Sequence, residues 1–121
     1  FDNDYLAIGG GGDLVLDDTD TVQWLHVDLP RWEMYGKVRP PPGIGVNFAV
    51  HDIDCHGGPM RLVPGTHTLP YQLESMNPAF ETQMLEKRGL SRVFVCPLRA
   101  GDAVLRDLRL WHAGSANRGS R

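Results

Sequence analysis

The chain has 121 residues, a formal net charge of −3, 41% hydrophobic residues and 22% charged residues, an ordinary composition for one globular domain spanning residues 1–121. That charge leaves no basic footprint for nucleic acid or an anionic membrane surface, and no apolar run approaches the ~20 residues that cross a bilayer. No basic stretch followed by an apolar core marks a secretory leader, so the expected compartment is cytoplasmic, with Cys55 and Cys96 as reduced thiols.

The chain starts at Phe1 rather than methionine, which suggests a fragment or a processed piece. Gly9 to Gly12 lack a following Gly-Lys-Ser/Thr and read as a flexible loop rather than a phosphate loop. Residues 13–16 read as a short strand and residues 17–20 as an acidic turn. In the next strand, Gln23-Trp24-Leu25-His26-Val27-Asp28, side chains at i and i+2 share a face. His26 and Asp28 therefore project together, with Val22 and Trp24 behind them. Residues 30–42 hold four of the nine prolines, which bars a central strand and implies an irregular loop. In that loop Trp32, Met34 and Tyr35 either line a substrate mouth or pin the loop to itself.

Residues 43–50 form a strand with Val46, Phe48 and Val50 on one face. The polar loop from His51 to Gly58 offers metal-type donors but has no zinc spacing such as Cys-x2-Cys, so it is read as a loop. Residues 59–63 are a strand closed by Pro64-Gly65-Thr66-His67. The one helix runs mainly from Pro78 to Arg88, with proline in the first turn, Glu81 near the start, and Lys87 and Arg88 before Gly89. Phe80, Met84 and Leu85 give it an apolar, core-facing stripe. Strands follow at 91–97, 103–106 and 108–114, with a turn at 100–102. About seven short strands and one helix indicate an all-β fold, an antiparallel sandwich or closed double sheet one strand short of a jelly roll.

Two neutral imidazoles and one carboxylate on one face make the triad that usually holds non-haem Fe(II). His26 and Asp28 supply two of these ligands. His112 emerges from the apolar face of Leu108 and Leu110 at the end of the last strand, and is placed to be the third. Downstream, Ser115, Arg118 and Arg121 resemble an anion site, since an arginine clamps a carboxylate through two hydrogen bonds and a hydroxyl can assist.

Three blocks carry a wider likeness: Leu25-His26-Val27-Asp28; Gly58-Pro59-Met60-Arg61-Leu62-Val63-Pro64-Gly65-Thr66-His67; and Gly101-Asp102-Ala103-Val104-Leu105-Arg106-Asp107 with Trp111-His112-Ala113-Gly114-Ser115-Ala116-Asn117-Arg118. In this order they resemble the phytanoyl-CoA dioxygenase family. The resemblance implies a double-stranded β-helix lacking its last strand, and an Fe(II)- and 2-oxoglutarate-dependent oxygenase that uses O2 on a small organic substrate. It implies iron ligation by His26, Asp28 and His112, and a structural role for His67. In the family the arginine that binds 2-oxoglutarate follows the distal histidine by about eleven residues; here Arg121 follows His112 by nine. Either Arg121, assisted by Ser115, takes that role on a shorter connection, or an arginine further along does.

Two other classes fit the composition: a cupin-like metal-binding jelly roll without oxoglutarate chemistry, and a non-catalytic β-sandwich in which all five histidines are structural. Substrate selectivity is expected to reside in loops such as 30–42.

Overall fold

A computed structural model describes residues 7, 9–28, 41, 43–69 and 78–119. Within them the chain is built from antiparallel β-sheets and one α-helix: β1 (Ile44–Phe48), β2 (Met60–Val63), α1 (Pro78–Lys87), β3 (Val93–Phe94), β4 (Ala103–Asp107) and β5 (Trp111–Gly114). The proline-rich stretch 30–42 lies outside the described residues except at 41, as does Arg121. No helix among the described residues is long and apolar enough to cross a membrane.

One sheet pairs β1 with β4, from Ile44 opposite Asp107 to Phe48 opposite Ala103. The other has the order β3-β2-β5, with Leu62 opposite His112 and Val63 opposite Trp111. A further segment, residues 19–28, runs antiparallel beside 108–117. It touches that stretch through isolated bridges at Thr19–Asn117 and His26–His112, and through Asp28 N–H to the Leu108 carbonyl at 3.1 Å. The expected strand around His26 is therefore present as an extended edge rather than a continuous ladder. The Gln23 side-chain oxygen, not a backbone carbonyl, takes the Gly114 N–H at 2.9 Å, which interrupts regular pairing.

The core lies between the β3-β2-β5 sheet and α1, formed by Leu25, Val63, Leu85, Trp111 and Ala113 with Met84 packed against it. Alternation explains the membership. Leu25 faces opposite to His26, and Trp111 and Ala113 opposite to His112, so one face of the edge and of β5 is buried while the other carries the histidines. The expected turn at 17–18 is present, but residues 13–16 form no strand, and Leu14 and Leu16 are exposed. Trp24, expected to back the site, is 49% exposed, and the fully buried neighbour is Leu25. On β1 the Val46–Phe48 face looks outward with Leu105, while Gly45 and Asn47 look inward.

The expectation of free thiols is overturned: Cys55 and Cys96 form a disulfide with Cα atoms 5.1 Å apart. The reason is local pairing. Ile53 and Leu98 exchange backbone hydrogen bonds at 2.8 and 2.9 Å, so two residues further along these antiparallel strands the cysteines stand opposite one another.

Glu81, read from sequence as a charge near the helix start, has a different job. It is 1% exposed and accepts from Arg61 Nη1 at 2.6 Å and Arg92 Nε at 2.8 Å. Arg61, on the central strand β2, also donates through Nη2 to the Gln23 carbonyl. One buried ion pair thus joins helix, sheet and the segment that leads to His26. Glu81→Ala leaves a buried guanidinium uncompensated and should cost about 3–5 kcal/mol of unfolding free energy. Chemical denaturation measures it, and a loss under about 1 kcal/mol would contradict this role for Glu81.

Candidate metal centre

The centre begins with a backbone pair. His26 N–H donates to the His112 carbonyl at 3.0 Å and His112 N–H to the His26 carbonyl at 3.1 Å. In an antiparallel ladder, residues paired in this way lie directly opposite and project to the same side. Their rings come to 4.3 Å between centroids. Asp28, two residues past His26, joins them on that side.

Each ring is fixed by its own strand. His26 Nδ1 lies 2.9 Å from the Trp24 carbonyl and His112 Nδ1 2.9 Å from the Leu110 carbonyl. A carbonyl only accepts, so both Nδ1 atoms carry the proton and both Nε2 atoms present a lone pair. Those Nε2 atoms face Asp28 Oδ1, at 3.7 Å from His26 and 3.4 Å from His112. The ligand atoms of the three residues all fall within 4.8 Å of one another, and no other group of three among the described residues does so. An ion with bonds of about 2.1 Å in octahedral geometry keeps neighbouring ligand atoms about 3 Å apart. At 3.7 and 3.4 Å, the two carboxylate–imidazole separations come close to that spacing.

The second carboxylate oxygen is held elsewhere. Asp28 Oδ2 accepts from Arg106 Nη2 at 2.5 Å, and Arg106 Nε donates to Asn47 Oδ1 at 3.2 Å. Thr66, in the Pro-Gly-Thr-His block, anchors the strand that delivers His112: its Oγ1 donates to the Val63 carbonyl at 2.7 Å and accepts from Trp111 N–H at 2.9 Å.

The electrostatics favour the protonation states a metal needs. Burial works to raise the Asp28 carboxyl, but the Arg106 hydrogen bond, with the charges of His112, Arg106 and His26, outweighs it and holds the group below its ordinary value. For His112, burial is the largest influence and lowers its basicity, aided by the Arg106 charge, against the Leu110 hydrogen bond and Asp28. An ionised carboxylate beside a neutral imidazole is the state a divalent cation binds.

The other expected site residues are placed differently. Ser115 is buried, but it lines a cavity of about 230 Å³ with Val22, Cys55, Arg61 and Phe94, whose lining includes none of the three triad residues. Arg118 is exposed and pairs with Asp20 at 2.7 Å. Arg121 lies outside the described residues. Sequence reasoning missed Arg106 and Asn47 as parts of the site. The available signal was an arginine at an inward position of a short strand, two residues along from the position that pairs with an inward asparagine.

A profile of the phytanoyl-CoA dioxygenase (PhyH) family matches residues 17–121. The chain belongs to the phytanoyl-CoA dioxygenase family. No curated protein matches it. The matched region of this family member contains the His26, Asp28 and His112 group and the strands that carry it.

Both lowered protonation equilibria act on stability in the same direction. A native state that binds protons less readily than the unfolded chain gains stability as pH rises. In metal-free protein, stability should therefore fall as pH drops below the ordinary histidine value of 6.5, where unfolded His112 protonates and folded His112 resists. It should fall again below the ordinary carboxylate value of 3.8, as Asp28 is protonated. Urea titrations between about pH 7.5 and 4.5 should show a shallower acid loss in His112→Gln than in wild type, and equal slopes would contradict the assignment.

Proposed function

We propose that this protein is an Fe(II)- and 2-oxoglutarate-dependent dioxygenase acting on a small organic substrate, with His26, Asp28 and His112 as the iron ligands. The observation that carries the reading is that two strand-fixed imidazoles turn their Nε2 lone pairs, and one carboxylate its Oδ1, toward a common point. Membership of the phytanoyl-CoA dioxygenase family supports the same chemistry. The two antiparallel sheets are what a double-stranded β-helix would contribute.

The donor set fits ferrous iron: a 2-His-1-carboxylate face leaves three coordination positions for exogenous ligands. When bound, the iron would couple oxidative decarboxylation of 2-oxoglutarate to succinate and CO2 with O2-dependent hydroxylation of a C–H bond. The chain's own contribution is to hold that geometry. The Trp24 and Leu110 carbonyls set the two tautomers, as carbonyl partners of metal-bound histidines do. Arg106 keeps Asp28 ionised, and the Leu25–Trp111 core behind the strands keeps the ligand backbones from shifting. Arg121, or an arginine further along, is proposed to pair with the far carboxylate of 2-oxoglutarate.

Anaerobic addition of Fe(II) and then 2-oxoglutarate should produce the visible charge-transfer band of a chelated 2-oxo acid, and admission of O2 should yield succinate. A folded protein giving neither refutes the proposal. Metal uptake with no response to 2-oxoglutarate would favour the cupin-like alternative. His26→Ala and Asp28→Asn should lower succinate formation by more than the 10–100-fold typical of losing an outer-shell partner, with the far-ultraviolet circular dichroism spectrum unchanged.

A further inference from the structure

We propose that Arg106 is a positioning residue that confines Asp28 to single-oxygen ligation of the metal, keeping a coordination position open for 2-oxoglutarate or O2. The inference rests on the reading of His26, Asp28 and His112 as an iron centre and adds to it a residue outside that set. A carboxylate can ligate through one oxygen or two. Two-oxygen ligation by Asp28 would consume one of the three positions that the co-substrates need. The structure divides the carboxylate instead: Oδ1 faces His26 and His112, while Oδ2 is taken by Arg106 Nη2 at 2.5 Å. Charge-assisted hydrogen bonds are the strong ones, and a guanidinium stays charged at any working pH.

Three further features hold Arg106 in this task. It is 8% exposed, on the inward face of β4. Asn47, on the paired strand β1, accepts from its Nε at 3.2 Å and so fixes the plane of the fork. Gly45, directly opposite Arg106 in the register, provides the space. A Cβ there would stand 3.2 Å from Arg106 Cζ and 3.0 Å from Leu108 Cδ2, so any side chain at 45 pushes against the arginine where it crosses the strand. The β1–β4 sheet thus acts as a mount for one guanidinium aimed at one oxygen.

The test uses the whole chain loaded with Co(II), whose visible absorption weakens and shifts as coordination rises from five to six. Wild type should bind one Co(II) and then 2-oxoglutarate. Arg106→Leu should bind Co(II) with an altered spectrum before 2-oxoglutarate is added. It should also bind 2-oxoglutarate at least about tenfold more weakly, while Co(II) affinity changes less. Arg106→Lys, which keeps one charged donor, should recover part of both. A folded Arg106→Leu with the wild-type spectrum and wild-type 2-oxoglutarate affinity overturns the proposal. Equal losses of Co(II) and 2-oxoglutarate affinity with an unchanged spectrum also overturn it, because Arg106 would then be only a structural support. If Arg106→Leu does not fold, Asn47→Ala carries the test: a smaller spectral change of the same sense supports the proposal, and none overturns it. Wild type that takes up no Co(II) removes the metal reading itself, whereas a variant indistinguishable from a competent wild type removes only this inference.

Discussion

The reciprocal backbone hydrogen bonds between His26 and His112 are the constraint on which the site depends. Residues 86 positions apart in sequence become direct neighbours on one sheet face, and Asp28 follows from strand periodicity alone. A slip of one residue by the 19–28 segment against β5 would turn His26 and Asp28 toward the core and Leu25 toward the metal side. The buried positions of Leu25 and Trp111, each 0% exposed, therefore enforce the register as firmly as the hydrogen bonds do. Core and site are the two faces of the same pair of strands.

The remaining architecture keeps this pair from shifting. Thr66 grips the backbone of Trp111, one residue before His112. Arg61 reaches from the central strand to the Gln23 carbonyl, three residues before His26, while its charge is met by Glu81 on the helix. The second sheet brings Arg106 and Asn47 to the far oxygen of Asp28. Each triad residue thus has a support drawn from a different element. This suits a centre that must keep its ligand geometry before any ion arrives, since preorganisation lowers the cost of binding.

Much of this was legible in the sequence, for identifiable reasons. The period of two places His26 with Asp28 and sets His112 on the face opposite Trp111, and strand arithmetic needs no tertiary information. Proline, acidic start and terminal glycine marked α1 from Pro78 to within one residue of its end at Lys87. What was not legible depended on long-range pairing. The disulfide required knowing that the segments around Ile53 and Leu98 lie side by side. Glu81 looks like a helix-start charge until Arg61 and Arg92 are seen to converge on it. Ser115 was read as a hydroxyl assisting an arginine clamp, and the cavity it shares with Arg61 depends on strand pairing that the sequence does not show. Residues 13–16 have strand composition yet form no strand; the Val15 carbonyl instead accepts from the Asn117 side chain at 3.2 Å, so propensity alone did not suffice.

A single ion seated by three side chains is the centre of the proposed chemistry. Crystals grown anaerobically with Fe(II) and measured on both sides of the iron absorption edge test this directly. The proposed centre requires one anomalous peak at bonding distance, about 2.1 Å, from His26 Nε2, Asp28 Oδ1 and His112 Nε2. An ordered chain with no such peak, or with the metal bound elsewhere, would contradict it.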